Sequence, residues 1–260
     1  MLTDINVNVN TSWTTEPDPF AGLSVLEIKR LTYPKWAHQI AGLVLLFIGF
    51  FGFVENCLVL FTFYKSKQLR TATNIFIMGV SISDMCMVLL GNPLASTSAL
   101  NGGWFAGTFM CYWEGFVVYT FGLASLYLLT AVSFDRYIVI AKPLKAAMIS
   151  KRVAALSVAG CFMFGMLWSI PPFFGWGNYG LEAPGVFCGL LWETPSAANQ
   201  SYIFTIFLAC FVFPMFVMIF SYFNVYMTVR FFYSSLHYMY KTSSFTIIDS
   251  KDKCVPHVDL

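Results

Sequence analysis

Long apolar runs alternate with short polar stretches along the 260-residue chain. Five of the runs reach the roughly 20 residues a helix needs to cross a bilayer. They fall at about 38–63, 73–98, 108–134, 153–174 and 201–229. The pattern predicts an all-α, polytopic membrane helical bundle with five transmembrane helices. Residues 1–35 read as a polar N-terminal tail, 36–230 as the membrane domain and 231–260 as a further tail.

Charge orients these spans. Lys65, Lys67 and Arg70 lie between the first and second, and Arg136, Lys142, Lys145, Lys151 and Arg152 between the third and fourth, whereas 99–107 and 175–200 hold no Lys or Arg. The positive-inside rule then places both basic loops and the 231–260 tail in the cytoplasm and the N-terminus outside. Lys29, Arg30 and Lys35 before the first span argue the other way. The triplets Asn10-Thr11-Ser12 and Asn199-Gln200-Ser201 both fall on the outer side, which makes Asn10 and Asn199 candidate glycosylation acceptors. The first 35 residues lack a basic stretch followed by a compact apolar core, so the first span is expected to act as the insertion signal.

With 58% hydrophobic and 11% charged residues, the composition excludes an ordinary soluble domain. A net charge of +2 with scattered basic residues gives no reason to expect a nucleic-acid partner. The lipid bilayer is the expected surroundings.

Polar groups inside apolar runs cost energy unless they are partnered, and so they mark candidate sites. Asn56 and Asp84 form the first. If the first two helices pack as an antiparallel hairpin, the Asn56 amide is expected to meet the Asp84 carboxylate, either as a structural contact or around a cation. Among the seven cysteines, only Cys111 and Cys188 fall on the oxidising side. A disulfide between them would tie the third helix to the second outer loop; the alternative is two free thiols. Glu114 lies one turn after Cys111 on the same helix face, and Glu182 belongs to the tethered loop. Two carboxylates converging on one outer pocket make either a cation site or a site where one stays protonated, since burial and repulsion both oppose the second charge.

At the opposite end of the third helix, Asp135-Arg136-Tyr137 follows Cys111 by 24 residues. That is about 36 Å of helix, a full membrane crossing, and Arg136 there can pair with its neighbour Asp135 and be released by a conformational change. GWGNYG at 175–180 fits a dinucleotide fingerprint in spelling alone, because it follows Pro171-Pro172 and leads into a loop rather than a helix. No zinc-ligand spacing, nucleophile elbow or phosphate loop appears, so neither a metal nor an enzyme is expected.

In series, these residues resemble a rhodopsin-type G-protein-coupled receptor, and specifically an opsin of a nonvisual kind, over about 38–230. Asn56, the LRTATN stretch, Asp84, Cys111, Asp135-Arg136-Tyr137, Cys188, Pro214 and Tyr222 match the receptor class. Cys111-x-x-Glu114-Gly115-Phe116 and PPFFGWGNYGLEAPGVFC, with Trp176, Tyr179, Glu182 and Cys188 in order, match opsins in particular. The resemblance implies a retinal cofactor held through a protonated Schiff base to a lysine of a seventh helix. Glu114 matches the family's counterion and Glu182 its second acidic position. Gly122, deeper on the same helix, either leaves room for the chromophore or serves close helix packing. Asp135-Arg136-Tyr137 implies coupling to a heterotrimeric G protein, and the whole implies a photoreceptor of the plasma membrane with its N-terminus extracellular.

The chain also departs from the pattern. Phe162 stands where the family usually has tryptophan. All ten lysines lie outside the apolar interiors, so no retinal-attachment lysine is present, and no sixth or seventh span follows Arg230. The expectation is therefore an opsin truncated after its fifth helix, unable to form the covalent pigment. A non-signalling fragment that dimerises with full-length receptors and a photoisomerase-type opsin are the alternatives.

Overall fold

A computed structural model describes residues 33–146, 149–183 and 185–252. Among them, five helices are long and apolar enough to cross a membrane: α1 (Lys35–Lys65), α2 (Ala72–Leu100), α3 (Gly107–Ala141), α4 (Lys151–Phe174) and α5 (Ala197–Met239). All five predicted spans are present, each longer than its apolar run, because capped polar residues continue the helices past the hydrocarbon. Thr71, Ser150 and Ser196 are the N-caps of α2, α4 and α5, each accepting a backbone N–H from three residues on. Arg70 folds back to donate to the Phe63 and Tyr64 carbonyls, which closes the C-terminus of α1 with a cation where the helix dipole favours one.

Two spans are irregular for reasons written in the sequence. In α2 the helix divides at Gly91 into Ala72–Leu90 and Asn92–Leu100, with Pro93 opening the second stretch. The missing proline N–H breaks the ladder, and Asn92 uses its side-chain amide to donate to the Leu45 carbonyl of α1 at 3.0 Å. Gly49 makes that approach feasible, since a Cβ there would lie 2.9 Å from the Asn92 amide nitrogen. In α5, a π-helical turn at Phe207–Val212 precedes buried Pro214, another place where a proline ring displaces the normal hydrogen bond. Helix then continues past Arg230 as Phe213–Asp252, beyond the predicted end of the span.

The middle of the bundle is α3, which packs on α2, α4 and α5 and on the loop between α4 and α5. Its buried face carries Val117, Ala124 and Leu128 together with polar Glu114, Thr120 and Asp135. Gly165 of α4 lets that helix come within van der Waals reach of the α3 backbone, where a Cβ would sit 2.5 Å from the Thr120 carbonyl.

The all-α expectation omits one feature. The loop between α4 and α5 holds a two-stranded antiparallel hairpin, β1 (Tyr179–Leu181) and β2 (Cys188–Leu190), in the register Tyr179↔Leu190, Gly180↔Gly189 and Leu181↔Cys188. GWGNYG feeds this hairpin: Gly175 and Gly177 take φ of +87° and +91°, a turn that leads into a strand. That geometry removes the dinucleotide reading.

Candidate functional site

The site is assembled where the hairpin lies across one end of α3. Cys111 and Cys188 are disulfide-bonded, with Cα atoms 5.2 Å apart. One turn along α3, Glu114 accepts the Cys188 backbone N–H through Oε2 at 2.9 Å. Gly115 gives the strands their seat, because a Cβ there would lie 2.9 Å from the Tyr179 ring. Three neighbouring positions of one helix thus fasten the same loop by a covalent bond, a charge-assisted hydrogen bond and an absent side chain. The far side of the loop is tied as well. Tyr179 donates its hydroxyl to the Ser169 carbonyl at 2.9 Å, and Trp176 donates its indole N–H to the Ser201 hydroxyl at 3.0 Å. Burial pushes the Tyr179 phenol further above its ordinary range, so it stays a neutral donor.

Beneath the hairpin lies a cavity of about 300 Å³, walled by Met87 of α2, Tyr119 and Gly122 of α3, and Glu182, Phe187 and Trp192 of the loop. A Cβ on Gly122 would meet nothing within 4 Å. Of the two readings for this glycine, room in a cavity fits and close helix packing does not; Gly165 is the packing glycine.

Glu114 and Glu182 are within electrostatic reach of one another but occupy different surroundings. Glu114 is 1% exposed and does not line the cavity, whereas half-buried Glu182 does. The two are electrostatic neighbours, and of the two it is Glu182 that lines the cavity.

Three other expectations change. Asn56 and Asp84 do not partner each other. Asn56 donates to the Gly52 carbonyl of its own helix at 2.9 Å, and Asp84 accepts from the Ser125 hydroxyl of α3 at 2.8 Å. The rotation of α2 turns Asp84 toward α3, a phase that hydropathy does not reveal. Asp135 accepts from the Thr73 hydroxyl of α2 at 2.7 Å in place of pairing with Arg136. Asn199 is fully buried, with its side-chain nitrogen donating to the Leu191 and Thr194 carbonyls at 2.9 and 3.2 Å. That nitrogen is the atom a glycan would need, so in the folded chain Asn199 is a structural residue and not an acceptor. Asn10 lies outside the described residues.

Several contributors escaped the sequence reading. Thr73 and Ser125 are ordinary helix residues until their partners are known. Tyr119, Phe187 and Trp192 carried no signal beyond hydrophobicity. Gly189 was the most legible of those missed, since a glycine directly after the bridging Cys188 invites the question of what needs its missing Cβ.

The model of the 7 transmembrane receptor (rhodopsin family) matches residues 55–245. Melanopsin of Homo sapiens is 36% identical over 200 residues, 76% of this chain and 41% of that protein. Pinopsin of Columba livia is 32% identical over 224 residues, 84% of this chain and 61% of that protein. The crystal structure of squid rhodopsin superimposes with a TM-score of 0.73 at 31% identity, covering 81% of this chain and 61% of that one. The chain thus spans less than two thirds of the length of the relatives it matches. It belongs to the rhodopsin family of seven-transmembrane receptors, among the opsins.

Proposed function

We propose that this chain supplies the chromophore cavity and the G-protein-facing end of an opsin photoreceptor. The observation that carries the reading is the cavity under the disulfide-tethered hairpin, with an acidic side chain on a largely apolar wall. Its volume of about 300 Å³ lies at the lower end of ligand pockets, which run ~300–1,000 Å³. Retinal, when bound, supplies light absorption and a positively charged linkage. The chain's own residues do the rest: Gly122 leaves space, Tyr119 and Trp192 offer aromatic faces, and the hairpin covers one side of the cavity.

A carboxylate about 4 Å from a cation, at an effective dielectric near 20, contributes about 4 kcal/mol, enough to hold both charges in such a site. None of the ten lysines lies in the apolar interior of a span. The covalent anchor for retinal is therefore not among these residues.

The basic loops favour a hairpin end outside the cell and an Asp135 end in the cytoplasm of a plasma-membrane receptor. There, separation of α2 from α3 would break the Thr73–Asp135 contact and change how Arg136 is presented to a heterotrimeric G protein.

The test is titration of the detergent-purified chain with 11-cis-retinal, read as quenching of Trp192 emission against a Trp192→Phe control. Saturable quenching is expected, abolished by Gly122→Phe, with no retinal retained after acid denaturation. Quenching that Gly122→Phe leaves intact would place retinal elsewhere on the apolar surface and refute the proposal.

A further inference from the structure

We infer that the bundle holds one anionic phospholipid, its acyl chain in a groove between α3, α4 and α5 and its headgroup on the basic residues that flank the neighbouring ends of α3 and α4. The groove encloses about 640 Å³ and is walled by Tyr127, Thr130 and Phe134 of α3, by α4 from Ser157 to Trp168, and by Phe213 of α5. At its inner side Tyr127, Trp168 and Ala209 pack on the cluster of Leu190, Tyr202, Ile206 and Cys210, and Leu190 also lines the cavity under the hairpin. The groove therefore adjoins the candidate functional site but is separated from it by that cluster.

The chemistry of the wall selects hydrocarbon. Thr130 donates its hydroxyl to the Leu126 carbonyl of its own helix at 2.8 Å, and Tyr127 donates its hydroxyl to the Ala209 carbonyl of α5 at 3.3 Å. Both hydroxyls are spent on backbone, as polar groups at this depth must be. What the groove offers an occupant is rings and aliphatic carbon, with Phe134, Phe164 and Phe213 all exposed. Gly160 leaves a gap in the α4 wall, since a Cβ there would meet nothing within 4 Å.

Length and charge name the occupant. Ser157 and Trp168 are 11 residues apart on α4, about 16.5 Å of helix and close to half of the roughly 30 Å hydrocarbon core. One acyl chain of one leaflet matches that length. At the Phe134 and Ser157 end the groove runs toward cations: Lys142 follows Phe134 by eight residues and Lys151 precedes Ser157 by six, with Lys145 and Arg152 beside them, all four exposed. From Arg136 to Arg152 the chain holds these four and Arg136 as basic residues, and no acidic residue. The basic loops favour the cytoplasmic leaflet for this end, which is where anionic lipids lie and where each Lys or Arg near the surface attracts them. A zwitterionic lipid could lay its chain in the same groove but would gain nothing from the cations.

The test places the full chain in phosphatidylcholine nanodiscs doped with either phosphatidylserine or phosphatidylcholine brominated toward the methyl end of one chain. Bromine quenches tryptophan at short range, and the Trp168 contribution is the difference between the wild type and Trp168→Phe. Brominated phosphatidylserine is expected to quench Trp168 at a mole fraction about fivefold lower or more, the factor that a single surface lysine implies. Gly160→Phe, which fills the groove, should abolish that preference. Replacing Lys142, Lys145, Lys151 and Arg152 together by Gln should bring the two lipids level, with unchanged far-ultraviolet circular dichroism showing that the helices have formed. Native mass spectrometry of the wild type released from discs containing equal amounts of both lipids should retain one phosphatidylserine, a readout that needs no variant. Equal quenching and equal retention of the two lipids by the wild type would overturn the proposal and leave the groove to a sterol, a zwitterionic lipid or a second copy of this chain. A preference that survives Gly160→Phe would overturn the groove, and one that survives removal of the four cations would overturn the headgroup contact.

Discussion

Helix α3 buries a carboxylate near each end, and the two are held in contrasting ways. Glu114, 1% exposed, accepts a backbone N–H from a strand whose next tie is a disulfide to the same helix. Asp135, 3% exposed, accepts a single side-chain hydroxyl from Thr73 on a neighbouring helix. Breaking the first contact requires moving a covalently tethered loop; breaking the second requires one rotamer change or a small separation of α2 from α3. The difference is one of restraint: the hairpin end of α3 is tied covalently, and the Asp135 end is held to α2 by a side-chain hydrogen bond. Under the proposed function, a rigid ligand site and a releasable opposite end would make use of that asymmetry.

The largest test of the fixed end is removal of the disulfide. The bridge joins residues 77 apart in sequence. Chain entropy sets an ideal benefit of about 4.5 kcal/mol for such a loop, and removal of native bridges costs about 2–5 kcal/mol. Cys188→Ser is expected to lower the thermal unfolding temperature in detergent more than any other single change considered. A shift no larger than that of a surface substitution would mean that hydrogen bonds alone hold the hairpin.

Next in size is Glu114→Ala, which leaves the buried Cys188 N–H without an acceptor at a cost of about 1–3 kcal/mol. Glu114→Gln keeps an oxygen in place and should recover most of that loss. Thermal unfolding of both variants, with the disulfide confirmed intact by mass spectrometry, separates an acceptor from a charge. Equal losses would show that the negative charge, and not the hydrogen bond, stabilises the hairpin end.

The fixed end was more legible in the sequence than the releasable one, and the reason is physical. Cys111 and Glu114 lie one turn apart on one helix face, so a shared neighbourhood beneath the outer loop follows from helical spacing, whereas the seat that Gly115 gives Tyr179 became visible only in the structure. The five spans were legible for a similar reason, since bilayer thickness imposes a length on every apolar run. The pairing of Asp135 with Thr73, like that of Asp84 with Ser125, depends on how one helix is rotated against the next. In a bundle with lipid around it, hydropathy says little about that phase, because lipid-facing and core-facing residues are both apolar. The hairpin escaped because its strands are only three residues each and rich in glycine. Too little period-2 patterning exists at that length to distinguish strand from loop. Asn199 misled for a different reason: the triplet that marks an acceptor also places a side-chain amide just inside an N-capped helix, where it satisfies the Leu191 and Thr194 carbonyls.

The smallest expected effect belongs to the releasable end and is the sharpest check on the contrast. Thr73→Val preserves shape and removes the hydroxyl that Asp135 accepts. A carboxylate about two turns from a basic loop can recruit water or swing toward Arg136, so the stability cost should be about 1 kcal/mol or less, below that of Glu114→Ala. Thr73→Ser, which keeps the hydroxyl, should restore the wild-type value. Thr73→Val should also raise amide hydrogen exchange around Asp135 while leaving the hairpin amides protected, because the contact restrains one end of α3 and not the other. If Thr73→Val destabilised the chain as much as Glu114→Ala, or loosened both ends together, α3 would be clamped evenly along its length, and the Asp135 end could not serve as the part that moves.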